Sequence, residues 1–176
     1  MSSGKLSRVL NLSPVEPLGP HHNISGFTCG KHDLDYWFAK YARTSNEAGG
    51  GRVFVTAEPD GQVAGFYALA TGAVDFAKSS PEMQADLSAN FPVSTIKLTR
   101  MAVDRRFQKQ EVGRSLLIDA MSRTLRLSRD AGVKALVVDA LDDEVRGFYK
   151  HFGFRDLPGE RLTLFHLVQD IAASLP

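Results

Sequence analysis

The chain of 176 residues is poor in several things that would have pointed elsewhere. A single cysteine, Cys29, excludes an internal disulfide framework and any metal site built from several thiolates. No stretch approaches the roughly 20 apolar residues of a membrane-spanning helix. The opening Met1-Ser2-Ser3-Gly4-Lys5 lacks the apolar core of a secretion signal, and residues 1–8 read as a flexible lead. An excess of one charge is missing too. Lys and Arg number 21 against 20 Asp and Glu, so the formal charge is +1 and only a local basic patch could meet nucleic acid. There is no repeat, low-complexity segment or linker. The expectation is a cytoplasmic protein with one domain spanning 1–176, a length that allows a real core.

What is present is organised around Lys97–Asp130. Lys97–Asp104 is a β-rich run that can be a buried strand, and Arg105–Glu111 is a short basic loop. From Val112, Leu116, Leu117, Ala120, Met121, Thr124, Leu127 and Ala131 recur at spacings of three and four, which predicts a helix with Gly132 as its C-terminal cap. The unbroken run Ala135-Leu136-Val137-Val138 then fits a strand covered on both faces. Strand, loop, helix and strand make a βαβ unit with a right-handed crossover. A basic loop at the start of its helix presents backbone N–H groups at the positive end of the helix dipole, a phosphate-binding geometry.

Lys31–Ala48 is a second helix, with Leu34, Trp37, Phe38, Tyr41 and Ala42 read as its core face and Lys31, Lys40 and Arg43 as a basic outer face. Gly49–Gly51 ends it. Arg52–Ala57 and Gln62–Thr71 form a hairpin about the Glu58–Gly61 turn, and Gly65 inside a strand marks a bulge or a close approach by a ligand or another chain. Phe76–Pro92 is a loop with a short helix near Pro81–Leu87. Asp142 caps a helix that stops at Gly153. Phe154-Arg155 and Leu162–Leu167 are strands around Pro158-Gly159, and Val168–Leu175 is a frayed helix. His21 and His22 are adjacent and point apart, so no metal site is expected there. Cys29 reads as a small buried residue rather than a nucleophile.

This order of elements, followed by Phe148-Tyr149 and then Gly153-Phe154, resembles the GCN5-related N-acetyltransferase (GNAT) family over most of the chain. The resemblance implies an α/β fold with a mixed central sheet flanked by helices, and acetyl-coenzyme A as donor. The family's loop pattern, Gln/Arg-x-x-Gly-x-Gly/Ala, maps onto Gln108, Lys109, Gln110, Glu111, Val112 and Gly113, with Arg114 following, so these residues would hold the pyrophosphate. Glu111 stands where the pattern has glycine. A side chain is accommodated there at negative φ, and its charge repels a diphosphate unless Arg106, Lys109 and Arg114 offset it. The resemblance also assigns the carbonyl-polarising N–H to Val103, with Met101 and Ala102 beside it, and the general acid to Tyr149. A tyrosine with a pKa near 10 stays protonated at neutral pH. The other reading of Tyr149 is a core tyrosine with a satisfied hydroxyl. No general base stands out, Tyr67 and Glu111 being the candidates.

Phe27-x-Cys29-Gly30 with Leu34-Asp35 and Phe38, Arg52-x-Phe54-Val55, Gly65-x-Tyr67 and Leu98-x-Arg100-Met101-Ala102-Val103-Asp104 further resemble the acetyltransferase toxins of bacterial toxin–antitoxin pairs. That implies acetylation of the amino group of aminoacyl-tRNA, a block of translation, a ribbon–helix–helix antitoxin and a homodimer. Arg52, Lys78, Lys97, Arg100, Lys150 and His151 are the candidate basic rim for tRNA phosphates. Two alternatives stand beside this. One is an acetyltransferase for a small amine such as a polyamine or drug, which needs an acidic acceptor pocket. The other is a degenerate module that binds coenzyme A or a partner without turnover.

Overall fold

A computed structural model describes residues 10–175, so the lead expected at 1–8 lies outside the described residues. The elements run β1 (Glu16–Pro17), α1 (His32–Ala48), β2 (Arg52–Ala57), β3 (Val63–Val74), α2 (Pro81–Gln84), β4 (Val93–Val103), α3 (Val112–Leu127), β5 (Ala135–Asp139), α4 (Asp143–His151), β6 (Arg155–Leu157), β7 (Glu160–Leu167) and α5 (Val168–Ser174). The strands form one mixed sheet in the order β1-β2-β3-β4-β5-β7-β6. β4 and β5 run parallel, and every other neighbouring pair is antiparallel.

Helices cover both faces, which is why β5 is buried throughout its apolar run. Leu136 and Val138 pack with Leu116, Leu117 and Ala120 of α3, while Ala135 and Val137 pack with Met83 of α2 and Phe165 of β7. α1 buries Phe38 and Ala42 against Val53, Val55 and Phe66 of the hairpin. The hairpin turn requires glycine at position 61. Its φ is 91°, and a Cβ there would sit 2.5 Å from the His21 carbonyl oxygen.

Several expectations change. Gly132 does not cap α3: the helix ends at Leu127, and Arg129 and Asp130 carry the chain on through tight turns to the carbonyls of Arg126 and Leu127. Its last carbonyls are thus satisfied without a left-handed glycine. α5 is docked rather than frayed, because Ile171 is fully buried in the α3-side core. A bulge does fall beside Gly65, where Thr56 faces Gly65 and Ala57 faces Val63, leaving Ala64 as the extra residue, and α3 also approaches Gly65 closely. A Cβ there would lie 2.9 Å from Leu116 Cδ1 and 3.2 Å from Val112 Cγ1.

One irregularity positions the site. β4 pairs with β5 only from Thr95 to Leu98. Next comes a register shift against β3, where Leu69 faces Leu98 and Ala68 faces Arg100, leaving Thr99 as an extra residue. Such a bulge bends its strand and increases its twist. Beyond Thr99, β4 stays with β3 as far as Val103, whereas β5 ends at Asp139. The two parallel strands part there and leave a wedge in the sheet.

Candidate active site

The wedge is a cavity of about 270 Å³ whose walls come from both sides of the sheet. Leu34 of α1 and Arg100 lie on one side, and Phe148 and Tyr149 of α4 on the other. The Asp104 amide donates to the Ala64 carbonyl at 2.8 Å. Antiparallel alternation then turns the N–H and C=O of Val103 and Met101 away from β3, toward the wedge. The Gln108 side-chain amide donates to the Val103 carbonyl at 2.9 Å, which agrees with that orientation. It also donates to the Cys29 carbonyl at 2.8 Å. Gln108 therefore clips the loop before α1 to the end of β4. Asp104 adds a second clip, accepting from the Thr28 amide at 3.2 Å.

Tyr149 is buried, packs against Phe148 and Phe154, and has no hydrogen-bond partner among the described residues. Tyr149 is one of the residues lining the cavity. Burial alone pushes its pKa far up, so it holds its proton at any physiological pH.

A second cavity of about 500 Å³ adjoins the wedge and shares Val103 and Phe148 with it. Gln108, Lys109, Glu111, Gly113 and Arg114 line it. Lys109 and Glu111 both adopt positive φ, 59° and 68°. Glu111 is thus in the glycine-favouring conformation, contrary to the negative φ expected of a side chain there. Among the described residues no side chain caps the first turn of α3, which leaves its amides facing this cavity's end of the helix. Lys109 and Arg114 stand beside it, with Arg114 4.0 Å from Glu111. Arg106 does not help: it is held by Asp104 at 3.0 Å and Glu58 at 3.5 Å.

The six residues expected to form a basic rim are dispersed. Arg100 lines the wedge and lies over the Trp37 ring at 4.3 Å. His151 lines the second cavity instead of an outer rim. Lys97 pairs with Asp139 at 2.6 Å and Lys150 with Asp156 at 3.1 Å. Lys78 sits by Asp75 at 3.8 Å, and Arg52 donates to the Asn46 carbonyl at 2.9 Å. Neither base candidate suits that task. Tyr67 is fully buried and donates to Asp119, and Glu111 belongs to the far cavity. Cys29 is half-buried; burial and the neighbouring Asp35 push its thiol up to about 11, so it is no nucleophile. His21 and His22 do come within reach of Glu16. The His22 Nδ1 accepts from the Gly19 amide at 2.9 Å, so its Nε2 carries the proton and donates to Glu16 at 2.8 Å, which leaves that ring no lone pair for a metal.

A model of the GNAT acetyltransferase domain matches residues 49–156, which span the hairpin, the wedge and α4. The chain belongs to the GNAT acetyltransferase family. It is 39% identical over 151 residues to the tRNA-acetylating toxin of Mycobacterium tuberculosis, covering 86% of this chain and 89% of that protein. Its fold is similar to AtaT complexed with acetyl-methionyl-tRNAfMet, with a TM-score of 0.84, 26% identity and coverage of 92% and 98% of the two chains. It is also similar to AtaTR bound with acetyl-coenzyme A, with a TM-score of 0.80, 25% identity and coverage of 93% and 97%. As a GNAT chain it carries features that sequence reasoning missed. The Gln108 clip joins residues 79 apart, and the stacking of Arg100 on Trp37 has no local signature. Glu144 is a further wedge-lining carboxylate with no ion-pair partner among the described residues. It stands in the first turn of α4, where an acidic residue also complements the helix dipole.

Proposed function

We propose that this chain transfers the acetyl group of acetyl-coenzyme A to the amino group of aminoacyl-tRNA and so acts as a translation-blocking toxin. The observation that carries the reading is the wedge between β4 and β5. It opens toward the α3–α4 side, where the glycine-pattern loop would hold the pyrophosphate, and toward the α1 side, where an amine could enter. Acetylation of charged tRNA, rather than of a small amine, is taken from the likeness to the tRNA-acetylating toxin of M. tuberculosis.

In this reading Met101, Ala102 and Val103 line up the thioester, and the Val103 N–H stabilises the carbonyl oxygen as the amine adds. The C–N bond forms and the C–S bond breaks. Tyr149 gives its proton to the departing sulfur, whose own basicity is raised in the same dry wall. The amine's proton leaves through water near Glu144. Gln108–Arg114 hold the diphosphate through backbone amides, with Lys109, Arg114 and His151 beside it. Arg100 meets the acceptor, whereas Arg52, Lys78, Lys97 and Lys150 contribute only if tRNA draws them from their present partners. A ribbon–helix–helix antitoxin, a homodimer and a cytoplasmic location complete the proposal. Among the described residues, no helix is long and apolar enough to cross a membrane.

The test is acetyl transfer from labelled acetyl-coenzyme A to charged total tRNA, with uncharged tRNA and a polyamine panel alongside. Label on charged tRNA alone supports the reading. Label on polyamines alone moves the protein to small-molecule chemistry. No label, with loss of coenzyme A binding by the folded protein, leaves a binding module.

A further inference from the structure

The outer side of α1 carries an ordered run of aromatic and cationic side chains that acetyl transfer does not use. Tyr36 and Tyr41 are 49% and 44% exposed, although Tyr41 was expected in the core. The rings of His32 and Tyr36 stack at 6.2 Å and 14°. Tyr36 and Tyr41 meet edge to face at 6.2 Å. Lys40 Nζ lies 5.2 Å and 5.7 Å from the two tyrosine rings and donates to the Tyr36 hydroxyl at 2.8 Å. Asp33, beside His32, is the counter-charge on this side.

This run leads to the wedge. Leu34 lines the wedge, and Trp37, one turn before Tyr41, lies under Arg100. Lys31, just before α1, reaches Asp142 ahead of α4 at 3.8 Å. Exposed rings beside cations are what an unpaired polynucleotide strand requires: bases stack on the rings and phosphates meet the cations. From Leu34 to Tyr41 the helix rises about 10 Å, at about 1.5 Å per residue. About three stacked nucleotides cover that span, at about 3.4 Å each.

We propose that Tyr36 and Tyr41, bridged by Lys40, form a stacking platform for the unpaired bases that precede the terminal adenosine at the 3′ end of charged tRNA, while the aminoacyl group passes Arg100 into the wedge. This rests on the proposed function above. It assigns the acceptor's nucleotides to α1, a surface that motif reading had treated as core and solvated face.

The test compares two acceptors on the intact protein: full aminoacyl-tRNA and the same aminoacyl ester on adenosine alone. Tyr36→Ala and Tyr41→Ala should each raise KM for charged tRNA by about tenfold or more, as expected for one lost base stack. Both should leave kcat/KM for the adenosine ester within about twofold. Tyr36→Phe and Tyr41→Phe, which keep the ring, should behave as wild type on both acceptors, and they report on stacking even if an alanine variant folds poorly. An unchanged KM for charged tRNA in the double alanine variant overturns the platform. So does an equal loss on both acceptors, which marks a structural effect, or a loss of dimer with tRNA affinity intact, which marks a face between copies of this chain. Wild type that acetylates charged tRNA beside an unaffected double variant sinks only the platform. Wild type that ignores charged tRNA sinks the proposed function with it.

Discussion

Two halves of one strand seam behave differently. From Thr95 to Leu98, β4 and β5 are hydrogen-bonded, and Ile96, Leu98, Leu136 and Val138 there belong to the core. From Thr99 to Val103 the same strand keeps β3 on one side and, among the described residues, has no strand on the other. Two tyrosines mark the contrast. Tyr67 lies in the closed part of the core: its hydroxyl donates to Asp119, which also pairs with Arg123 at 2.7 Å. Tyr149 lies at the open part, as buried but without a partner. Burial pushes both pKa values far up, with Asp119 adding to the effect at Tyr67. The difference teaches that burial and a raised pKa alone do not mark a reactive group. What singles out Tyr149 is a hydroxyl with no partner among the described residues, on a side chain that lines an opening.

The largest expected effect sharpens this contrast. Tyr149→Phe should lower kcat by about 10²–10⁴-fold, the range for loss of a general acid, with coenzyme A affinity kept within about twofold. Tyr67→Phe should instead leave kcat nearly unchanged and cost about 1–2 kcal/mol in urea unfolding, because it removes a hydrogen bond to a carboxylate. If Tyr149→Phe lost only stability, the two tyrosines would be equivalent and the acid assignment would fall. Next comes Gly65→Ala, on the closed side. Its Cβ would press on Leu116 and Val112, so a loss of about 1–3 kcal/mol is expected, again read by urea unfolding.

A smaller effect is expected at Glu111. Its left-handed φ strains any residue with a Cβ, so Glu111→Gly should gain up to about 1 kcal/mol and also tighten coenzyme A binding, measured by calorimetry. The smallest effect is at His166, beneath Gly153. Among the described residues neither of its ring nitrogens has a well-formed hydrogen bond, and burial holds its pKa below the usual histidine value, with Arg155 adding and Asp170 and the Phe152 backbone opposing. The unfolded chain therefore takes up the proton more readily. Stability should be full above about pH 6.5, the ordinary histidine value, and fall as pH drops below it. Thermal melts of His166→Phe should lose that acid slope.

Much of the fold was legible because periodicity reports burial directly. The apolar spacing from Val112 predicted α3, the run Ala135–Val138 predicted a strand covered on both faces, and Gly49 with φ 76° ends α1 where the glycines stood. The α1 aromatics were legible only in part. A core stripe and its border share one spacing, so nothing local separated buried Phe38 from exposed Tyr41. The basic rim misled for a related reason. Whether a lysine is free depends on partners such as Asp139 for Lys97, and the sequence around Lys97 does not name them.

By itself, the sequence determined most of the elements, though not β1, together with the βαβ unit and the loop pattern of an acetyltransferase, since these depend on neighbours within a few turns of chain. Only the tertiary structure decided where β4 and β5 part, which tyrosine keeps an unpaired hydroxyl, and which cations are already spent on a carboxylate. The parting of the strands and pairs such as Lys97 with Asp139 depend on contacts between distant segments, and the bulge at Thr99 marks where one strand bends away from its neighbour.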